Sequence, residues 1–347
     1  MHKPHPLLFV VIALTALLFR MQSLGWSNDA SLIVPLGVIA VFGVVALTRQ
    51  VFNWQMGITA GILLAGSSWH AEISDINSLA VLSTTAWGLY TLWRGLATNR
   101  IGFFILTGIL FGLGVYTHLV GAWMIVALIP ILFTYQSVLK IHFEHEQYDH
   151  AREKVLRGIG ASVLVLVIVI IPGLIKLYTS DEGISKVFEF ILPIGEGVTV
   201  VIRNFFHMFG SFDNREAFLF WPVAVLAAVG LARGIFKLSR SKKDHGHLST
   251  AHTTLLAWFI VGLISTVLGG TKTGMLVAGT AATIYASQGI WWIFEWLEQW
   301  YSNRDEHIIS SPSNHFRRIS MYESTAVSAM AMAILVAAIV IAEYFRL

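Results

Sequence analysis

The 347-residue chain contains no cysteine. That excludes disulfides, thiolate metal sites and cysteine nucleophiles, and it leaves the compartment open. Charge is scarce too. Only 12% of residues are Asp, Glu, Lys or Arg, against roughly 25% in soluble domains. No cleavable signal peptide is visible, because the first apolar run lacks a small-residue cleavage site and further apolar runs follow it. Low-complexity segments and convincing repeats are missing. Almost no ionisable residues lie in the middle of the apolar runs, and most charges stand at their ends. Without inverted repeats and mid-span charges, a secondary transporter is disfavoured.

What the chain has instead is apolar surface: 56% hydrophobic residues and a mean hydropathy of +0.70. No soluble core absorbs that much, so the solvent for most side chains is lipid. The expected fold is all-α, a polytopic transmembrane helical bundle of about 10–11 spans, with residues 1–347 as a single transmembrane domain. Spans are expected near 31–48, 54–70, 76–93, 101–117, 119–136, 159–177, 217–236, 253–270, 274–295 and 325–345. The run Leu7 to Phe19 is either an eleventh span or an interfacial helix.

Net charge is +3 and the isoelectric point about 9.1. The basic residues gather in particular loops, which the positive-inside rule explains without a nucleic-acid partner. With Arg49 on the cytoplasmic side, alternation places Arg94, Arg100, the 137–158 loop, the "FKLSRSKKDHGH" segment and the 296–324 loop there too. The opposite face receives most of the loop acids, and residues 178–216 form an outer loop with room for interfacial helices. Trp291, Trp292, Trp296 and Trp300 read as an aromatic anchor at the inner interface.

Candidate chemistry lies on that outer face, where a few cations break the charge bias. Lys3, in "HKPHP", sits at headgroup depth, where an ammonium can hold a phosphate. "SSWHAEISD" places His70, Glu72 and Asp75 in one short loop, the minimum kit for general acid–base work. Asp75 reads equally well as a helix N-cap. His118 falls at a tight hairpin after "GLGVYT", where it serves a ligand or bonds a neighbouring carbonyl. Arg203 and Lys272 suit an anionic headgroup. "GGTKTG" around Lys272 fails the P-loop spacing and no strand precedes it. The inner-loop histidines His142, His145 and His150 could conceivably share a metal, but such charged loops are usually solvated surface, and no metal site is assigned.

Taken in order, these segments resemble the GT-C membrane glycosyltransferases, in the branch holding the lipid A aminoarabinose transferases and the protein O-mannosyltransferases. Lys3-Pro4 opens a juxtamembrane helix ending Leu18-Phe19. "LTRQVF" ends a span, and Asp75 matches a lone outer-loop Asp. Gly112, Gly114, Thr117 and His118 match a Gly-x-Gly-x-x-Thr element followed by a basic residue. Arg203-Asn204 through Asp213 precedes a proline-bearing span containing Pro222. The resemblance covers about residues 3–295 and rests on the series rather than on any one motif.

There are departures. The family's N-terminal span and first catalytic loop, with its Asp-Glu or lone Asp base, have no counterpart in the chain. The arginine before the second family span and the Ser-Arg after "WH" are absent. "TKTGMLVAGTA" replaces the usual arginine and proline.

The resemblance implies transfer of a sugar from a polyprenyl-phosphate donor to an envelope acceptor, whether lipid, glycan or protein. Asp75 and then Glu72 would be the catalytic acids. Lys3, His70, His118, Arg203 and Lys272 would bind substrate phosphate. Membrane lipid, the lipid-linked sugar and the acceptor would be the partners. The donor is a substrate, so no cofactor or resident divalent metal is called for. Two alternatives stand beside this expectation: a non-catalytic or truncated GT-C-like protein binding a lipid-linked glycan, and a transporter or flippase.

Overall fold

The computed structural model describes residues 6–24, 30–71, 73, 75–142, 145–179, 194–209, 218–240, 246–268, 271–306 and 333–343. All regular elements among them are helices. They are α1 (Pro6–Leu24), α2 (Ala30–Val51), α3 (Trp54–Ala65), α4 (Ser68–Ala71), α5 (Ile76–Thr98), α6 (Ile101–Thr117) and α7 (Leu119–Val126). Then follow α8 (Leu128–His142), α9 (His145–Thr179), α10 (Ile194–Phe209), α11 (Trp221–Arg240), α12 (Gly246–Leu268), α13 (Thr271–Glu306) and α14 (Ala333–Glu343). In lipid every backbone N–H and C=O must be satisfied within the segment, and helices do that. The expected all-α membrane bundle is borne out.

Among the described residues, five stretches are long and apolar enough to cross a membrane: Leu32–Val51, Val120–Ser137, Ala151–Pro172, Trp221–Leu238 and Leu248–Val267. Shorter apolar helices, including Trp54–Ala65 and Ile101–Thr117, lie among them. The count of full spans is lower than expected because Phe9–Leu18, Trp54–Ala65, Ile101–Thr117 and Ala333–Glu343 are shorter apolar helices, and because α5 and α13 carry many hydroxyls. Ser78, Ser83, Thr85 and Thr91 of α5 are buried, as are Thr280, Thr283 and Ser287 of α13. Those of α13 return their protons to carbonyls one turn back, as Thr280 does to Leu276 at 2.9 Å, so they sit at low cost beside other helices.

Three segments differ from the spans expected. The 54–70 stretch breaks at Gly66, and α4 is a separate turn. The 119–136 stretch is jointed at Ala127, just before Pro130, whose missing N–H is harmless in a first helical turn. And α9 runs on through the charged segment before 159, where Glu153 and Arg157 pair one turn apart at 2.6 Å.

At the centre stands α13, buried almost without interruption from Met275 to Ile290 and packed by α11, α12 and α3. From α3 the packing runs outward through α2, α5 and α6 to α9. Only 11% of α9's apolar stretch is buried. Val163, Leu164, Ile168 and Ile171 stand exposed on it, as a lipid-facing surface requires.

Lipid gives helices no hydrophobic reason to associate, so close packing must do it. At the α11–α13 crossing, a Cβ on Gly230 would collide with the Tyr285 carbonyl, and one on Gly289 with that of Leu226. Gly230→Val is therefore expected to destabilise the bundle by at least ~1–3 kcal/mol. Thermal melting in detergent micelles checks this, and an unchanged midpoint would show that the two helices do not meet there.

Candidate active site

Four helix ends meet at one end of the bundle. The backbone of Asp75 is extended (φ −88°, ψ 117°) and the residue caps α5. Its carboxylate accepts from the N–H of Asn77 at 3.2 Å and of Ser78 at 2.9 Å, and from the Ser78 hydroxyl at 2.6 Å. The Ser78 hydroxyl also meets Thr273 Oγ1 of α13 at 2.9 Å. Thr273 Oγ1 lies 3.3 Å from His118 Nε2. His118 in turn closes α6 and caps α7, its Nδ1 accepting the N–H of Val120 at 3.1 Å.

These contacts fix directions. An Nδ1 that accepts a hydrogen bond carries no proton, so the neutral ring holds its proton on Nε2. The row then reads His118 Nε2–H to Thr273, Thr273 to Ser78, and Ser78 to Asp75 Oδ2, each hydroxyl accepting once and donating once. The hairpin that places His118 depends on two glycines, since a Cβ on Gly121 would strike the backbone of Gly114.

The electrostatics follow from the geometry. Burial pushes the Asp75 carboxyl up, but the Ser78 hydroxyl, the Ser78 and Asn77 N–H groups and nearby His118 outweigh it. The carboxyl is held below its ordinary 3.8. Burial holds the His118 ring below 6.5, and the Asp75 charge offsets this only in part. The N-termini of α5, α7 and α13 all point to this end, where their dipoles favour an anion. Lys272, exposed and adjacent to Thr273, adds a full charge there.

The other residues singled out in the sequence distribute unevenly. Arg203 is exposed on α10. The neighbouring Asn204 donates to Thr266 of α12 at 2.7 Å, which ties α10 to the last turns of α12. His70 is fully buried in α4, its neighbour Trp69 packing on Phe218 with ring centroids 5.1 Å apart. It stands inside the bundle rather than with the surface cations. Lys3 and Glu72 lie outside the described residues, as do the side chains of His142, His145 and His150. Among the described residues no three His, Asp or Glu side chains are grouped as a metal ion would require.

Ser78 and Thr273 were not singled out in the sequence. Ser78 was visible as the third residue after a capping Asp. Nothing in "GGTKTG" marked Thr273 over Thr271.

Residues 2–146 match the family model of dolichyl-phosphate-mannose-protein mannosyltransferases. No curated protein matches the chain in sequence. Among solved structures, the oligosaccharyltransferase of Archaeoglobus fulgidus in complex with zinc and sulfate is similar, with a TM-score of 0.50 and 14% identity, covering 98% of this chain and 44% of that one. The same enzyme in its apo form gives 0.49 at 14% identity, covering 98% and 48%. Its complex with an inhibitory peptide and a dolichol-phosphate gives 0.48 at 15%, covering 98% and 47%. The chain thus spans about half the length of that enzyme. The first match shows a shared fold, and the GT-C resemblance read from the sequence is borne out.

Both folded pKa values at the site lie below the unfolded ones, so the unfolded chain binds more protons. The cluster's stabilisation is in place at neutral pH and is lost as pH falls, first below 6.5 at His118 and then below 3.8 at Asp75. Nitrogen NMR of the His118 ring is expected to show the Nε2–H tautomer at neutral pH and a midpoint under 6.5. An Nδ1–H ring, or a midpoint above that value, would contradict the hydrogen-bond order.

Proposed function

We propose that this chain, an integral membrane protein of GT-C fold, is a glycosyltransferase that moves a sugar from a polyprenyl-phosphate donor to an envelope acceptor. The reaction would take place on the outer face of a prokaryotic plasma membrane. The observation that carries the proposal is the meeting of Asp75, His118 and Thr273 beside Lys272 on converging helix N-termini, within a fold shared with an oligosaccharyltransferase.

The chemistry follows from charge. The bond between the anomeric carbon and the donor phosphate breaks, a bond from the acceptor oxygen or nitrogen forms, and the acceptor's proton leaves. Negative charge develops on the departing phosphate. Preorganised cations and N–H groups stabilise it best where water is excluded. Lys272 and Arg203 are assigned that role, with Lys3 as a third cation and the helix N-termini behind them. The prenyl tail lies among apolar spans at little desolvation cost.

Asp75 takes the acceptor's proton. It is exposed and ionised at neutral pH, as a base must be, although the bonds that cap it also lower its basicity. The row through Ser78 and Thr273 to His118 orients the carboxylate. Glu72 is the second candidate acid. His70, being buried, would act only from behind this surface. No step here needs a cofactor, and membrane lipid, the lipid-linked sugar and the acceptor are the only partners required.

Lys272→Ala and Arg203→Ala are each expected to weaken binding of a polyprenyl-phosphate sugar by roughly tenfold, as loss of a charge-assisted hydrogen bond does. Affinity unchanged in both would remove them from the donor site. Asp75→Asn keeps the cap, since Asn caps well. It is expected to preserve folding and donor binding while abolishing turnover. Full turnover in that variant would confine Asp75 to capping. A wild-type chain that binds donor without turnover would favour a non-catalytic lipid-glycan binder.

A further inference from the structure

At the opposite end of the bundle lies a second polar site. From Thr273 to Gln288 is about 15 residues of α13, or ~22 Å along its axis. There, between α11, α12, α13 and the α2–α3 joint, is a pocket with about 210 Å³ of open space. Asn53, Arg233, Lys237, His252, Gln288 and Glu295 supply its polar lining.

Two of these are unusual. His252 and Gln288 are each only 3% exposed. Both ring nitrogens of His252 and both amide atoms of Gln288 make no hydrogen bond with the described residues. A buried polar group left without a partner keeps its full desolvation penalty. Four such atoms on one pocket wall therefore point to a ligand that bonds to them.

Charge says what kind. Arg233 and Lys237 lie one helical turn apart on α11. Arg233 pairs with Glu295 at 2.7 Å. Lys237 has no ion-pair partner among the described residues, so the wall carries one uncompensated positive charge. The surrounding depth is that of lipid headgroups. Trp292, Trp296 and Trp300 stand 42–55% exposed on the last turns of α13, as an interfacial belt does.

We propose that this pocket binds a singly charged phosphate ester at headgroup depth. Lys237 and Arg233 would hold the phosphate oxygens, and His252 and Gln288 would donate to the same group. The site is separate from the Asp75 cluster and does not depend on the transferase assignment.

The test is native mass spectrometry of the purified, delipidated chain in detergent, with the melting midpoint read in parallel. Three probes are used: dioctanoyl phosphatidylglycerol, the soluble diester glycerophosphoglycerol and dioctanoylglycerol. The wild type is expected to bind a phosphate-bearing probe, with a rise in melting midpoint, and to ignore dioctanoylglycerol. Binding of phosphatidylglycerol alone identifies a lipid as the source; binding of glycerophosphoglycerol as well identifies a soluble ester.

Lys237→Gln is expected to weaken the binding at least about tenfold. His252→Leu removes the unpartnered nitrogens, so it is expected to raise the melting midpoint of the empty protein and to abolish the ligand-induced rise. Arg100→Gln, an exposed cation outside the pocket, is expected to change nothing. Failure to bind either phosphate probe, or equal binding by wild type, Lys237→Gln and His252→Leu, would overturn the proposal. So would an Arg100→Gln loss as large as that of Lys237→Gln, because it would reduce the effect to general surface attraction.

Discussion

The site rests on one hydroxyl pair, Ser78 with Thr273, 2.9 Å apart and buried. Through it the first turn of α5 and the first turn of α13 become a single surface, and His118 joins from the α6–α7 hairpin. Residues 195 positions apart are thereby held in register. In lipid such a bond has a local rival, the carbonyl one turn back, and many hydroxyls of α13 take it. Thr273 is in the first turn of its helix, where no carbonyl of that helix stands behind it, so its hydroxyl is available to the neighbouring helix.

That placement explains why cations and dipoles add up at this end. Three helix N-termini contribute partial positive charge, Lys272 contributes a whole one, and Asp75 balances it. A phosphate departing into this surface finds its stabilisation already oriented. The other end of the bundle has the reverse supply, with α2, α11 and α13 presenting C-terminal turns and Arg94, Arg233 and Lys237 compensating them. Cations are thus found at both ends for different reasons, and at the Lys237 end one is left over.

The bundle was legible because hydropathy is a property of long windows, and ten apolar stretches leave little else for the chain to be. Asp75 as an N-cap was legible from its place just before an apolar run, and His118 from its hairpin. The break at Gly66 and the joint at Ala127 were harder, since each interrupts apolar sequence without a strong polar signal. Thr273 was not legible at all. Its role comes from α13 meeting α5 across 195 residues, and no local pattern encodes that meeting. His70 looked like surface chemistry because it stands beside Glu72 in the sequence, yet α4 buries it completely. The same long-range packing hid His252 and Gln288, which lie on different helices and share a wall only once α12 and α13 pack.

The most direct measurement is a double-mutant cycle on Ser78→Ala and Thr273→Val, read as unfolding free energy in mixed micelles. If this pair joins α5 to α13, the cycle returns a coupling of about 0.5–3 kcal/mol, the range for residues in contact. Losses that simply add, within ~0.3–0.5 kcal/mol, would mean the two helix ends are not bonded and the surface built on them does not exist.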